Sequence, residues 1–392
     1  MELKPRYKHT EVGVIPEEWE LVKLRSLCPK SAYGPRFSST LYSAHGNVGT
    51  LRTTDMDDSG KISYETIPFA HLDENLFKAH FLEDGAFVVT RSGTCGIAAI
   101  FHKIERPVVA GAFLIRFQFN DTVHRSFLKD MLNSTRGRRL TDSLIAGGVQ
   151  KNLSGTGFLN LKIPLPPFPE QKAIAEALGD VDALIESLEQ LIAKKKQIKQ
   201  GAMQELLTGK RRLPGFSGEW EEKKLGDVCE ITTGRKDVNQ GNPNGIFPFF
   251  TCSRVHTFSD SYSFDTEAIL IAGNGDVGNL NYFAGKFEAY QRTYVLREFS
   301  VPVSYLWHHL SAFLAPALGL DKVGSSIPYI KRENLIGFTY LSPRLAAESS
   351  AIATVLSEMD SEISAVEQKL SKTRAVKQGM MQELLTGRIR LV

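Results

Sequence analysis

One segment of this chain occurs twice. Residues 199–213 read KQGAMQELLTGKRRL and residues 377–391 read KQGMMQELLTGRIRL. The offset is 178 residues, and it holds without a gap from Glu170 and Glu348 onward, with 22 identities in 44 positions. Two amphipathic helices share a composition, but not that degree of positional identity. A chain carrying one unit twice is constrained to place both copies equivalently, and two copies are too few for a solenoid. The expectation is a pseudo-twofold architecture.

The repeated segments read as helices. In the first, Ile174, Val181 and Leu188 recur every seven residues, with Leu184, Leu191 and Ile198 three or four away. That is the spacing of a helix-pairing seam. Leu178, Ile185 and Ile192 form a second apolar line that widens the face. In the second copy Ile352, Leu356, Met359, Ile363, Val366 and Leu370 step by four and three. Prolines at 164, 166, 167, 169 and 343 precede the helices, and Gly209 and Gly387 stop them. About 40 residues at ~1.5 Å each span roughly 60 Å. Two such helices related by a perpendicular twofold axis run antiparallel, as a coiled coil. The expected pairing residues are Ile174, Val181, Leu188, Leu191, Ile352, Met359, Ile363 and Val366.

Fainter echoes lie outside the helices. Trp19 and Trp220 sit in similar settings, with Leu24 and Leu225 beyond them and Cys28 and Cys229 four residues further. AFVVTRSGTCGI (86–97) aligns with AILIAGNGDVGN (268–279) at an offset of 182. Between the helices, short β-branched and aromatic runs alternate with Gly, Asn, Asp and Ser punctuation. The expected fold is α+β, with globular domains at 1–167 and 210–345 and long helices at 168–209 and 346–392.

Familiar catalytic motifs are missing. No phosphate-binding G-x-x-x-x-G-K-[ST], no H-E-x-x-H and no G-x-S-x-G occurs, and the nine histidines have no metal-ligand spacing. Gly273-x-Gly275-x-x-Gly278 has the spacing of a dinucleotide loop. Such a loop needs a helix opening at its third glycine. Here NLNYFAGKFEAYQRTYVL follows, which reads as the far arm of a hairpin, and the aligned first loop has Arg91 where Gly273 stands. No cofactor is therefore expected on this chain. The four scattered cysteines read as free thiols of a reducing compartment. No signal peptide or apolar span is evident, so a cytoplasmic location is expected.

The net charge of +3 permits a nucleic-acid partner without arguing for one. The placement of charge says more. Arg136, Arg138 and Arg139 precede Gly147-Gly148-Val-Gln150-Lys151-Asn152, and before the second helix Lys322 precedes Gly324-Ser325-Ser326-Ile-Pro-Tyr329-Ile-Lys331-Arg332. Both stretches combine amides or hydroxyls, turns and cations, the mix suited to phosphates and base edges. Arg91, Ser92 and Thr94 of the first glycine loop, and Asn274 and Asp276 of the second, join this candidate set, with Arg36 and Arg292. The runs Lys194–Lys196 and Lys210–Arg212 suit either phosphate contact or a helix C-terminus.

These residues together resemble the DNA-specificity subunit of a type I restriction–modification enzyme. The resemblance rests on Tyr7-Lys-x-Thr10-Glu-Val-Gly13-Val-Ile-Pro16-x-x-Trp19, the paired glycine loops, Pro164-Leu-Pro-Pro167…Glu170-Gln171, and the twin Gln-Glu-Leu-Leu-Thr-Gly endings. The second copy departs from it, with Arg344-Leu-Ala-Ala-Glu348-Ser349 where Pro-Pro…Glu-Gln is usual. The resemblance implies a non-catalytic adaptor whose two target-recognition domains each read half of a split DNA site, the helices fixing the gap. It also implies two modification subunits that carry S-adenosylmethionine and methylate adenine N6, joined by ATP-dependent restriction subunits. A protein-interaction scaffold whose helices dimerise is the alternative from another class.

Overall fold

The computed structural model describes residues 7–144, 152–320 and 329–391. The chain divides into two compact units, one of residues 1–187 with 370–392 and one of residues 188–369. Two helices of 39 residues, Phe168–Leu206 and Ala346–Leu384, run through both, so each unit holds a part of each.

One line of covered positions on the first helix runs through 174, 178, 181, 185, 188, 192, 195, 199, 202 and 206. The equivalent line on the second runs through 352, 356, 359, 363, 366, 370, 373, 377, 380 and 384. The steps are four and three throughout, and the two series differ by 178 at every position. In the first unit Ile174 and Leu178 share a core with Met380, Leu384 and Leu385, and Asp182 pairs with Lys377 at 2.6 Å. In the second, Leu206 and Leu207 share a core with Ile352 and Leu356. There Lys195 meets Glu362 at 2.6 Å and Lys199 meets Asp360. Within each unit residue numbers fall on one helix as they rise on the other, so the helices pair antiparallel.

One expected pairing residue is misplaced. Leu191 is 40% exposed, as are its seven-residue neighbours Leu184 and Ile198 at 42% and 52%. Adjacent helical residues point about 100° apart, so a helix that buries Leu188 and Ile192 turns Leu191 outward. Ile174, Leu188, Ile352 and Ile363 are buried, and Val181, Met359 and Val366 half-buried, along the covered line.

Near each helix start a buried carboxylate pairs with an arginine that follows the end of the other helix. Glu170, fully buried, accepts two bonds from Arg390 (2.5 and 2.8 Å) and one from the Trp19 indole at 3.0 Å. In the second unit Glu348, 1% exposed, accepts two from Arg212 (2.5 and 2.7 Å), whose guanidinium lies 5.5 Å from the Trp220 ring. Glu170 and Glu348 are equivalent positions of the repeat, as are Arg212 and Arg390.

In the first unit an antiparallel four-stranded sheet runs in the order Lys30–Tyr33, Leu114–Gln118, Ala86–Thr90, Ala98–Phe101. A smaller sheet pairs Val48–Leu51 in parallel with Val108–Ala110. In the second unit one six-stranded sheet runs Glu230–Thr233, Thr293–Arg297, Phe264–Ala272, Leu280–Ala289, Phe247–Phe250, Thr257–Ser259. Helices Arg125–Asn133 and Val303–Ala317 cover corresponding faces, each burying its apolar side. The units share a framework and differ in what decorates it. All four cysteines are free and buried, and burial lifts the Cys229 thiol to about 12.

Candidate nucleic-acid interface

The glycine loops close hairpins. Gly278 leads into strand Leu280–Ala289, antiparallel to Phe264–Ala272 with Ala268 opposite Phe283. In the first unit Ala86 lies opposite Phe101 in the same register. No helix opens at the third glycine, so no helix N-terminus faces a bound phosphate there.

The two loops are built identically. Thr90 N donates to Ile97 O and Gly96 N to Thr90 O; Ala272 N donates to Asn279 O and Gly278 N to Ala272 O, all at 2.8–2.9 Å. Glycine is required at two points of each turn. φ is +77° and +84° at Gly93 and Gly96, and +66° and +79° at Gly275 and Gly278, a region other residues rarely enter. Each loop is clamped from both sides. Arg91 N donates to Phe113 O and Leu153 N to Arg91 O; Gly273 N donates to Arg292 O and Ile330 N to Gly273 O.

This clamp gathers the variable side chains into one patch per unit. In the first unit Ser92 bridges Asn152, and Arg91 Nη2 donates to Asn152 Oδ1 at 3.3 Å. The Arg91 guanidinium lies 4.6 Å from the Tyr33 ring centre. Thr94 and Asn152 are exposed, as is Phe113 at 59%. In the second unit Asp276 accepts from Arg254 N at 3.1 Å, and its amide donates to Cys252 O. Arg292 is exposed and Asn274 half-buried. Lys331 Nζ lies 5.9 Å from the exposed Tyr329 ring.

The sequence model of the type I restriction modification DNA specificity domain matches residues 16–200 and 217–373. The chain belongs to this family. It is 30% identical over 168 residues to the EcoDI specificity subunit of Escherichia coli, a match covering 43% of this chain and 37% of that one. It is 32% identical over 218 residues to the MjaVIII specificity subunit of Methanocaldococcus jannaschii, covering 54% and 50%. The matched region thus spans half or less of these two relatives. A putative MjaX specificity subunit from the same organism is 24% identical over 433 residues, covering 98% and 97%.

Two solved structures share the fold. The S subunit of the M. genitalium type I system has a TM-score of 0.64 at 16% identity, covering 97% of this chain and 99% of that one. A chain solved in a study of complex assembly and conformational transition of the type I system has a TM-score of 0.55 at 18% identity, covering 96% and 99%. The family model is that of a DNA specificity domain, and it matches this chain twice, once in each half. Among the described residues no helix is long and apolar enough to cross a membrane.

Two expected cations, Arg136 and Arg138, bind backbone carbonyls of the fold instead of lining the patch. Arg136 Nη2 donates to Val12 O at 2.6 Å, and Arg138 Nη2 to Asp58 O at 2.9 Å. Both arginines are half-buried, and burial depresses their guanidinium pKa values. Arg332 donates from Nε to Ile231 O at 3.1 Å but is exposed, so it stays available to the patch. A cluster of arginines reads the same in sequence whether carbonyls or phosphates await it. Arg36 is exposed, and among the described residues no hydrogen bond or ring contact joins it to the loop. Gln150, Lys151, Ser325 and Ser326 lie outside the described residues. Tyr33, Phe113 and Arg254 belong to the patches and escaped the sequence analysis. Phe113 and Arg292 take the same place at the clamp in the structure, but their offset of 179 matches neither repeat, and Arg254 had no signal either.

Proposed function

We propose that each unit reads one half of a split DNA target, and that the paired helices hold the interval between the halves. The observation that supports this most is the loop built twice. Its backbone is the same in both units, while its side chains differ: Arg91, Ser92, Thr94 and Asn152 in one, Asn274, Asp276, Arg292 and Lys331 in the other. A fixed frame with variable polar groups suits the reading of two unlike half-sites by hydrogen bonds to base edges. The helices, at roughly 60 Å, exceed one turn of B-DNA, about 34–36 Å. Modification subunits would carry S-adenosylmethionine and methylate adenine, and restriction subunits would add ATP-driven translocation and cleavage. This chain would supply the address and no cofactor.

The test is selection of randomised duplex DNA by the chain assembled with its modification subunits, repeated across a salt series. A bipartite motif with a fixed gap is expected, and Lys331→Ala should weaken binding and flatten the salt dependence by about one counterion. Selection of no motif would remove the DNA reading and favour a protein scaffold.

A further inference from the structure

The second unit contains an open cavity of about 840 Å³, none of whose lining residues belongs to the glycine loop. Glu267, Glu298, Tyr282, Phe299, Val303 and Trp307 are among its walls. Tyr282 donates to Glu267 Oε1 at 2.7 Å, and its ring meets the Trp307 indole edge-on at 6.5 Å. Glu298 stands at φ +54°, the one non-glycine residue in the left-handed region among those described. Backbone strain of that kind persists only where the surroundings enforce it, and it gathers at binding sites. Arg297 lies 2.9 Å from Glu230 and 3.6 Å from Glu298, so its charge is shared. Two carboxylates beside two aromatic faces repel a phosphate and attract a cation.

The first unit shows what such a place holds. Gly85 is the counterpart of Glu267 at the hairpin offset of 182, and Arg125 is the counterpart of Val303, each being the first residue of its helix. Arg125 Nη1 donates to Gly85 O at 3.0 Å. The first unit thus fills the position with its own guanidinium. The second has a short valine there, and acidic and aromatic walls instead.

We propose that this cavity receives an arginine side chain from a protein that docks on the second unit. The guanidinium would pair with Glu267 and Glu298 and lie against Trp307 and Tyr282, a planar, weakly hydrated cation suited to both contacts. The proposal does not depend on the DNA reading, since it uses a different surface.

The full chain has three tryptophans, Trp19, Trp220 and Trp307, whose indole N–H signals are separable by NMR, with Trp307→Phe assigning the third. Titration with acetyl-Gly-Arg-Gly-amide should move the Trp307 signal saturably. The citrulline analogue, which has the shape without the charge, should bind at least about tenfold more weakly. So should the Glu267→Gln/Glu298→Gln variant, whose unmoved Trp19 and Trp220 signals report an intact fold. Val303→Arg, which places the first unit's residue in the second, should abolish the response. An unmoved Trp307 signal, equal binding of the citrulline peptide, or a Trp307 shift produced by a short DNA duplex instead would overturn the proposal.

Discussion

Removal of the Arg390 guanidinium is the most informative change to the framework. Glu170 is fully buried and accepts both nitrogens of Arg390 together with the Trp19 indole. Arg390→Ala leaves a buried carboxylate with one neutral donor. Breaking a buried pair in this way costs about 3–5 kcal/mol, and the surviving indole bond places the cost near the lower end. The two units need separate readouts, because unfolding of a two-unit chain is not two-state. Amide exchange in the strand pair Glu20–Lys23 with Lys162–Leu165 reports the first unit, and Trp220–Lys224 with Thr339–Pro343 reports the second. A loss of about 3 kcal/mol speeds exchange roughly 150-fold in the first pair. The second pair should be unchanged. Arg390→Gln with Glu170→Gln removes both charges and should recover most of the loss. Acceleration below about fivefold, or a double variant no better than the single, would refute the reasoning.

Three further outcomes follow from the same geometry. Leu178→Ala, in the buried seam, should cost about 3 kcal/mol in the first unit, whereas Leu191→Ala should stay within about 0.5 kcal/mol in the second, both by amide exchange. Gly275→Ala should destabilise its unit by more than about 1 kcal/mol, since its Cβ would come 2.9 Å from Cys252 O; Gly93→Ala, with open space around it, should cost less. His308 and His309 are held at about 4, chiefly by burial, against an ordinary 6.5. Because the folded values are depressed, the unfolded chain takes up protons first as pH falls. Their contribution is present above about pH 6.5 and is lost progressively towards pH 4, by about 2 kcal/mol per histidine at pH 5. Urea melts followed at the Trp220 and Trp307 signals of the second unit should show a lower midpoint at pH 5 than at pH 7, and equal midpoints would contradict it.

The duplication made most of the framework legible. An offset of 178 places the covered positions of both helices in one register, and the aligned glycines mark turns whose hydrogen bonds match atom for atom. The phase of the first seam was harder to read. Leu184, Leu191 and Ile198 repeat every seven residues as regularly as Ile174, Val181 and Leu188, and only the opposing helix decides which line is covered. The Glu170–Arg390 pair joins residues 220 positions apart, and no local pattern announces it. Arg136 and Arg138 looked like a basic face because sequence does not show that Val12 and Asp58 carbonyls lie within reach. The cavity around Trp307 was equally hidden, since its walls come from two strands, a turn and two helices.

The central claim is that the two units read DNA independently. Exchange of residues 217–345 for the corresponding segment of another specificity subunit, followed by mapping of methylated adenines in cells that carry the chimera and its partner subunits, tests it directly. The expected motif keeps one half-site and the gap and changes the other half-site alone. A motif altered in both halves would contradict independent reading.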